Sequence, residues 1–122
     1  MRIVRDISDL IGNTPMVCLN HLTQPGDAKI YAKLESYNPG GSIKDRICYA
    51  MVEDAEERGW LKPGYTIVEP TAGNTGIGLS IVAISKGYNI VLTMPENVSR
   101  EKYCLLSAYG VDIILTPEGR AK

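Results

Sequence analysis

The sequence has no phenylalanine, one histidine and one tryptophan among its 122 residues. Its three cysteines, Cys18, Cys48 and Cys104, are widely separated, and no CxxC pair occurs. A structural zinc site needs clustered cysteine and histidine ligands, so we expect no metal site. An odd number of separated cysteines also indicates reduced thiols rather than a disulfide framework.

Neither sign of charge is in excess, because 13 lysines and arginines face 14 aspartates and glutamates, which gives a net charge of -1. A chain without a basic surplus lacks the electrostatic basis of nucleic-acid binding, so we expect no nucleic-acid partner. No apolar run approaches the ~20 residues that span a bilayer. The N-terminus also lacks the apolar core of a signal peptide. We therefore expect no membrane partner and a cytoplasmic location.

The residues that are present indicate an ordinary globular domain, with 44% hydrophobic and 22% charged residues. A short helical turn is predicted at 6–10. Strands are predicted at 16–19 and 29–34, and a helix follows from about 43 to 58. From there strands and helices alternate, which predicts right-handed crossovers and a parallel sheet. The predicted strands are 65–69, 89–94 and 111–115, and the predicted helices are 75–86 and 99–109. The expected fold class is therefore α/β, with a small parallel sheet flanked by helices.

The first loop whose residues could take part in catalysis precedes the helix that begins near residue 43. It reads Asn38-Pro39-Gly40-Gly41-Ser42-Ile43-Lys44, and its two glycines allow the backbone to approach a ligand closely. Ser42 and Asp45 have the spacing of a capping box. A cation at the first helical turn opposes the macrodipole, which favours an amine that must react without its proton. A solvated lysine on an exposed turn is the alternative interpretation.

The second loop joins a predicted strand to a helix and spans residues 69–78. Ligands bind at the carboxyl ends of parallel strands, and a helix N-terminus offers free N–H groups to an anion. Thr71 and Thr75 add hydroxyl groups, so a substrate carboxylate or a phosphate fits. A ligand-free glycine turn is the alternative. A dinucleotide site is disfavoured, because Gly73, Gly76 and Gly78 are spaced GxxGxG rather than GxGxxG.

Five motifs follow one another in a familiar order. They are Leu10-Ile11-Gly12-Asn13-Thr14-Pro15, Lys33-Leu34-Glu35, the Lys44 loop, the Asn74 loop and Thr93-Met94-Pro95-Glu96. In order and spacing the chain resembles the cysteine synthase and cystathionine β-synthase family, the fold-type II pyridoxal-phosphate enzymes. The resemblance covers essentially the whole chain.

The resemblance implies a role for each matching residue. Lys44 resembles the lysine that carries pyridoxal phosphate as a Schiff base and later shuttles the α-proton. Asn74 resembles the residue that hydrogen-bonds the 3′-hydroxyl of the cofactor. The substrate carboxylate would be gripped by a loop that contains Thr71, Gly73, Asn74 and Thr75. The implied reaction is β-replacement on an O-acetylserine-like amino acid with sulfide, as in cysteine biosynthesis.

Two departures from the family pattern leave alternatives open. Ala72 stands where many members have serine. Together with the segment Ser99-Arg100-Glu101-Lys102, it resembles members that use homocysteine to make cystathionine from O-acetylserine or serine. Family members are also more than twice as long, and the remaining part supplies the glycine-rich cup for the cofactor phosphate. We therefore expect a truncated N-terminal portion that binds the cofactor weakly and is inactive alone, or a non-catalytic fragment or binding module.

The resemblance also implies how the chain is divided. Residues 13–34 would be strands of the otherwise missing large domain, and residues 35–122 would form a small mobile domain. Strands 16–19 and 29–34 would lack their usual partners, and unpaired edges favour association. The expected partners are a second copy of the chain, in a homo-oligomer, or a complementing C-terminal chain.

Overall fold

A computed structural model of the chain describes residues 3–118. The first two and the last four residues of the chain lie outside that range. Within it, two 3₁₀ turns, Ile7–Leu10 and Glu35–Tyr37, accompany three α-helices and five strands. The helices are α1 (Lys44–Glu57), α2 (Asn74–Lys86) and α3 (Arg100–Ala108). The strands are β1 (Met16–Cys18), β2 (Tyr31–Lys33), β3 (Thr66–Pro70), β4 (Asn89–Pro95) and β5 (Asp112–Thr116).

The strands form two separate sheets. Strands β3, β4 and β5 lie side by side in chain order and run parallel, with Ile67 opposite Ile90 and Leu92 opposite Ile113. The predicted alternation of strands and helices is confirmed, and so is the α/β class with a small parallel sheet. Strands β1 and β2 pair with each other in antiparallel fashion, with Met16 opposite Lys33. The sequence pattern did not reveal that pairing.

The core lies where α2 and β4 meet. Ile90, Leu92 and Met94 alternate with more exposed residues along β4, so one face of this strand is buried. Helix α2 is buried along most of its length, and Leu79 and Val82 are nearly inaccessible. A helix that is apolar on most sides must be covered on most sides. Helix α1 and the central strand β4 both contact α2.

Two helix ends agree with their sequence signals. Gly87 ends α2 with a left-handed φ of 78°, and its N–H donates to the carbonyls of Ala83 and Ile84. Ser99 begins α3, and its side chain accepts a hydrogen bond from the Lys102 N–H.

The predicted capping box at the start of α1 is wrong. Ile43 is the N-cap residue, and Ser42 Oγ accepts from the Lys44 N–H at 3.2 Å instead of from Asp45. The carboxylate of Asp45 turns away from Ser42 and accepts from the Gly40 N–H. The reason is burial: Asp45 is fully covered beneath α2, so its carboxylate bonds to the glycine loop rather than to the helix start.

Helices α1 and α2 approach closely at one glycine. A Cβ atom added at Gly78 would lie 2.9 Å from Cys48 Sγ and 3.3 Å from the Asp45 backbone. Real Cβ atoms need more room, so only glycine permits this contact. The first turns of the two helices are therefore held together. Among the helices of residues 3–118, none is both long and apolar enough to cross a membrane.

Candidate functional site

Lys44 is the first residue of α1, and its side chain is half-buried. The described chain has two other half-buried lysines. Lys86 Nζ lies 2.6 Å from Glu56 Oε2, and Lys102 Nζ donates to the Ala72 carbonyl at 3.2 Å. Within residues 3–118, by contrast, the Lys44 amine makes no hydrogen bond or ion pair. Lys44 thus presents a sheltered amine that is available to a ligand.

The glycine loop before Lys44 is held by the residue after it. The Gly40 N–H donates to Asp45 Oδ2 at 2.5 Å, and a Cβ atom at Gly40 would overlap that carboxylate. Burial raises the pKa of Asp45, and Oδ1 has no hydrogen-bond partner among the described residues. Gly41 has a φ of 74°, which few other residues adopt. The loop is therefore closed against the start of α1.

An ion pair fixes α1 to the segment that precedes it. Arg46 Nε lies 2.7 Å from Glu35 Oε2, and Arg46 Nη2 donates to Glu35 Oε1 at 3.0 Å. The Thr14 hydroxyl donates to Glu35 Oε1 at 2.7 Å. These hydrogen bonds, with Arg46 as the largest cause, lower the pKa of Glu35 to about 2. A bidentate arginine–carboxylate pair of this kind fixes direction as well as distance.

Asn38 joins the same network to the loop. It is 3% exposed, and its Oδ1 accepts from the Gly12 N–H at 2.8 Å. Its Nδ2 donates to the Glu35 carbonyl at 2.9 Å and to the Ser42 carbonyl at 3.1 Å. One buried side chain thus ties together the residues before β1, the 3₁₀ turn after β2 and the glycine loop. We refer to Thr14, Glu35, Asn38 and Arg46 as the anchor network.

The second loop leaves β3 and enters α2. The Thr71 N–H donates to the Thr93 carbonyl of β4 at 2.9 Å, and the Gly73 N–H donates to Thr71 Oγ1 at 3.2 Å. Asn74 is exposed at the first position of α2, and Thr75 is half-buried behind it. Gly73 is the N-cap residue and supplies no side-chain cap. The N–H groups of Asn74 and Thr75 have no acceptor in residues 3–118, so they are available to an anion.

The structure brings the two loops together. Cys48 Sγ donates to the Thr75 carbonyl at 3.4 Å, and Gly78 packs on the backbone of Asp45. The N-terminal part of α1, which begins at Lys44, therefore packs against the N-terminal part of α2. Two helix N-termini at one place produce a positive potential that favours an anionic ligand. Burial raises the pKa of Cys48 to about 11, so this thiol stays protonated at neutral pH and is no nucleophile.

Comparison with known proteins places the chain among enzymes. A family model described as "Pyridoxal-phosphate dependent enzyme" matches residues 7–122. A cysteine synthase of Staphylococcus aureus (strain N315) is 54% identical over 118 residues, which are 97% of this chain and 38% of that protein. A cystathionine beta-synthase of Apis mellifera is 52% identical over 118 residues, which are 95% of this chain and 23% of that protein.

A solved structure agrees with these relatives. The crystal structure of a hydrogen sulfide-producing enzyme from Fusobacterium nucleatum matches with a TM-score of 0.90 and 43% identity. The match covers 98% of this chain and 39% of that chain. This chain therefore spans less than two fifths of the length of each of these three proteins.

Sequence reasoning missed the residues that position the site. It placed Lys44 and the loop of Thr71, Gly73, Asn74 and Thr75 at helix starts, and the structure has them there. It assigned no role to Asn38, and it noted Lys102 only as part of a family-like segment. The signals in the sequence were an asparagine, Asn38, in the loop that contains two glycines, and a lysine, Lys102, in the first turn of a helix.

The anchor network predicts a pH dependence of stability. The pKa of Glu35 is about 2 in the folded chain and near 4.5 ordinarily. Because the folded value is depressed, the stabilisation is complete above pH ~5 and is lost as the pH falls toward 2. Glu35→Gln should therefore lower the free energy of unfolding at pH 7, and its difference from wild type should shrink as the pH falls from about 5 toward 2.

Urea unfolding at a series of pH values measures this difference. Glu57→Gln is the matched control, because Glu57 is exposed and makes no ion pair in the described part of the chain. A Glu35→Gln difference that stays constant from pH 7 to pH 3 would contradict the assignment.

Proposed function

The chain belongs to the pyridoxal-phosphate dependent enzymes, and we propose that it carries the cofactor lysine and the substrate-carboxylate loop of a β-replacement enzyme of the cysteine synthase type. The proposed reaction replaces the β-substituent of an O-acetylserine-like amino acid with sulfide. The chain spans 38% of the length of its cysteine synthase relatives. The activity, substrates and partners of the whole protein are therefore proposed as well.

One observation carries the proposal. Lys44 is the half-buried lysine whose amine has no partner within residues 3–118, and it lies beside the starts of two helices. Pyridoxal phosphate, when bound, supplies an electron sink for charge that develops at the α-carbon of an amino acid. A sheltered primary amine fits the covalent attachment of such a group. Lys44 would hold it, and the exposed amide of Asn74 would donate to it or accept from it.

The second loop suits the carboxylate of the amino acid. The unpaired N–H groups of Asn74 and Thr75 are donors with the geometry of a helix N-terminus. The hydroxyls of Thr71 and Thr75 add two further donors on the same loop. In the proposed reaction these groups orient the substrate, and Lys44 Nζ takes the proton that leaves the α-carbon. The protein then needs only to orient the reactants and to move this proton.

Homocysteine is the second candidate for the sulfur nucleophile. Ala72 lacks the hydroxyl that a serine would add to the carboxylate loop, and it packs against the core. The relatives named cysteine synthase and cystathionine beta-synthase are 54% and 52% identical, so overall identity does not favour either nucleophile. Turnover with sulfide and none with homocysteine would support the first candidate, and the reverse result would support the second.

The two sheets support a division of the chain. We propose that residues 13–34 serve a larger domain and that residues 35–122 form the smaller one. The observation that supports this division is the antiparallel pair β1–β2, which shares no strand with the parallel sheet. The three free thiols suit a reducing compartment, so the proposed location is the cytoplasm.

The β1–β2 pair also exposes apolar side chains. Met16 is 59% exposed, Val17 42% and Tyr31 54%. We propose that a second copy of the chain, or a complementing C-terminal chain, covers this surface.

Reduction by borohydride in the presence of pyridoxal phosphate tests the cofactor site. We expect selective labelling at Lys44, because this amine is sheltered and unpaired, and we expect Lys44→Ala to abolish the selective labelling. Peptide mass mapping identifies the labelled residue. Lys62→Ala removes an exposed lysine and is the matched control, which should leave the labelling of Lys44 unchanged. Labelling spread evenly over the surface lysines would identify a folded module without a cofactor site.

Sedimentation of the chain over a range of concentrations tests the assembly. The exposed apolar residues of β1 and β2 predict a mass that increases with concentration, and Val17→Lys should lower it toward the monomer. Glu57→Lys places the same new residue at the exposed end of α1, outside β1 and β2, and should have no such effect. A monodisperse monomer at high concentration would refute the association of this chain with itself.

A further inference from the structure

Lys102 lies in the first turn of α3, outside both loops, yet its amine reaches the second loop. We propose that Lys102 is a positioning residue for the substrate carboxylate, which it serves by fixing the direction of the peptide between Ala72 and Gly73. This inference rests on the proposed function, because it concerns the loop that would bind the carboxylate. Its basis is the hydrogen bond of 3.2 Å from Lys102 Nζ to the Ala72 carbonyl.

The direction of this peptide decides what the loop offers an anion. In a trans peptide the C=O and the following N–H point in opposite directions. The Ala72 carbonyl points to Lys102, so the Gly73 N–H points the other way, toward Thr71 Oγ1 at 3.2 Å. The Gly73 N–H is thereby kept on the side of the peptide away from Lys102, next in the chain to the unpaired N–H groups of Asn74 and Thr75. A flipped peptide would present the carbonyl oxygen there and repel a carboxylate.

Within the loop, one hydrogen bond opposes that flip, from the Gly73 N–H to Thr71 Oγ1. Gly73 has no side chain to restrict rotation, and Ala72 has no polar group to anchor. On the other side, the Thr71 N–H is held by the Thr93 carbonyl, but this bond fixes only the preceding peptide. Lys102 is therefore the group, among the described residues, that donates to the Ala72 carbonyl.

Lys102 is itself held in place by the start of α3. Its backbone N–H donates to Ser99 Oγ at 3.4 Å. The turn before α3 is joined to β5, because the Glu96 N–H donates to the Thr116 carbonyl at 3.0 Å. A cation in the first turn of a helix opposes the macrodipole, so the position is locally unfavourable. The hydrogen bond from Lys102 Nζ to the Ala72 carbonyl offsets this cost.

NMR of the complete chain without cofactor tests the inference with L-serine as the probe. Chemical shifts of the Gly73, Asn74 and Thr75 amides report binding of its carboxylate. Lys102→Met keeps the length of the side chain and removes its charge. We expect serine to bind about tenfold more weakly to this variant, as the loss of one charge-assisted hydrogen bond predicts. Lys102→Arg should restore most of the affinity, because arginine keeps a donor to the same carbonyl.

Arg100→Met is the matched control, because it removes the same charge from the same turn. Arg100 is exposed and makes no hydrogen bond or ion pair in residues 3–118. Only Lys102→Met should shift the carbonyl carbon of Ala72 in the ligand-free chain. Equal serine affinity in all four proteins would overturn the role of Lys102 alone. Failure of the wild-type loop to bind serine would overturn the proposed function, and the role of Lys102 in it.

Discussion

The ion pair between Arg46 and Glu35 is the constraint on which the candidate site depends. It spans 2.7 Å and joins the first turn of α1 to the segment that follows β2. Thr14 and Asn38 complete the anchor network by tying in the residues before β1 and the glycine loop. Removing charged groups from water costs free energy, which hydrogen bonds offset only when every polar atom of the network has a partner. Here each carboxylate oxygen of Glu35 accepts from a donor. The start of α1 is therefore fixed from outside the helix.

Packing between α1 and α2 then brings the two loops of the candidate site together. Gly78 allows α2 to touch the backbone of Asp45, and the buried Cys48 thiol bonds to the Thr75 carbonyl. The N-terminal parts of α1 and α2 are held in contact, so Lys44, the first residue of α1, and the unpaired N–H groups of Asn74 and Thr75 lie at neighbouring helix ends. The chemistry follows from this arrangement: an amine free to attach a carbonyl compound lies beside donors for an anion. Lys102 adds a connection from α3, the third helix of the fold.

The regular parts of this fold were predictable because burial imposes a period on the sequence. Ile90, Leu92 and Met94 alternate along β4, and the long apolar run of α2 between Asn74 and Gly87 has one interpretation. The start of α1 was not predictable in the same way. The spacing of Ser42 and Asp45 matches a capping box, but a spacing cannot show that Asp45 is buried and faces Gly40. Contacts across 26 or 30 residues, such as Asn38 with Gly12 and Lys102 with Ala72, leave no local pattern.

We expect the anchor network to make Lys44 reactive by fixing the loop before it. The rate at which pyridoxal phosphate attaches to Lys44, relative to the exposed Lys62, measures this most directly in wild type and in Asn38→Ala. Loss of the buried Asn38 amide leaves the Gly12 N–H and the Ser42 carbonyl unsatisfied, at a cost of about 1–3 kcal/mol. In Asn38→Ala we expect Lys44 to lose its preference and to react like Lys62, while the far-UV circular dichroism stays unchanged. An undiminished preference for Lys44 in folded Asn38→Ala would contradict it.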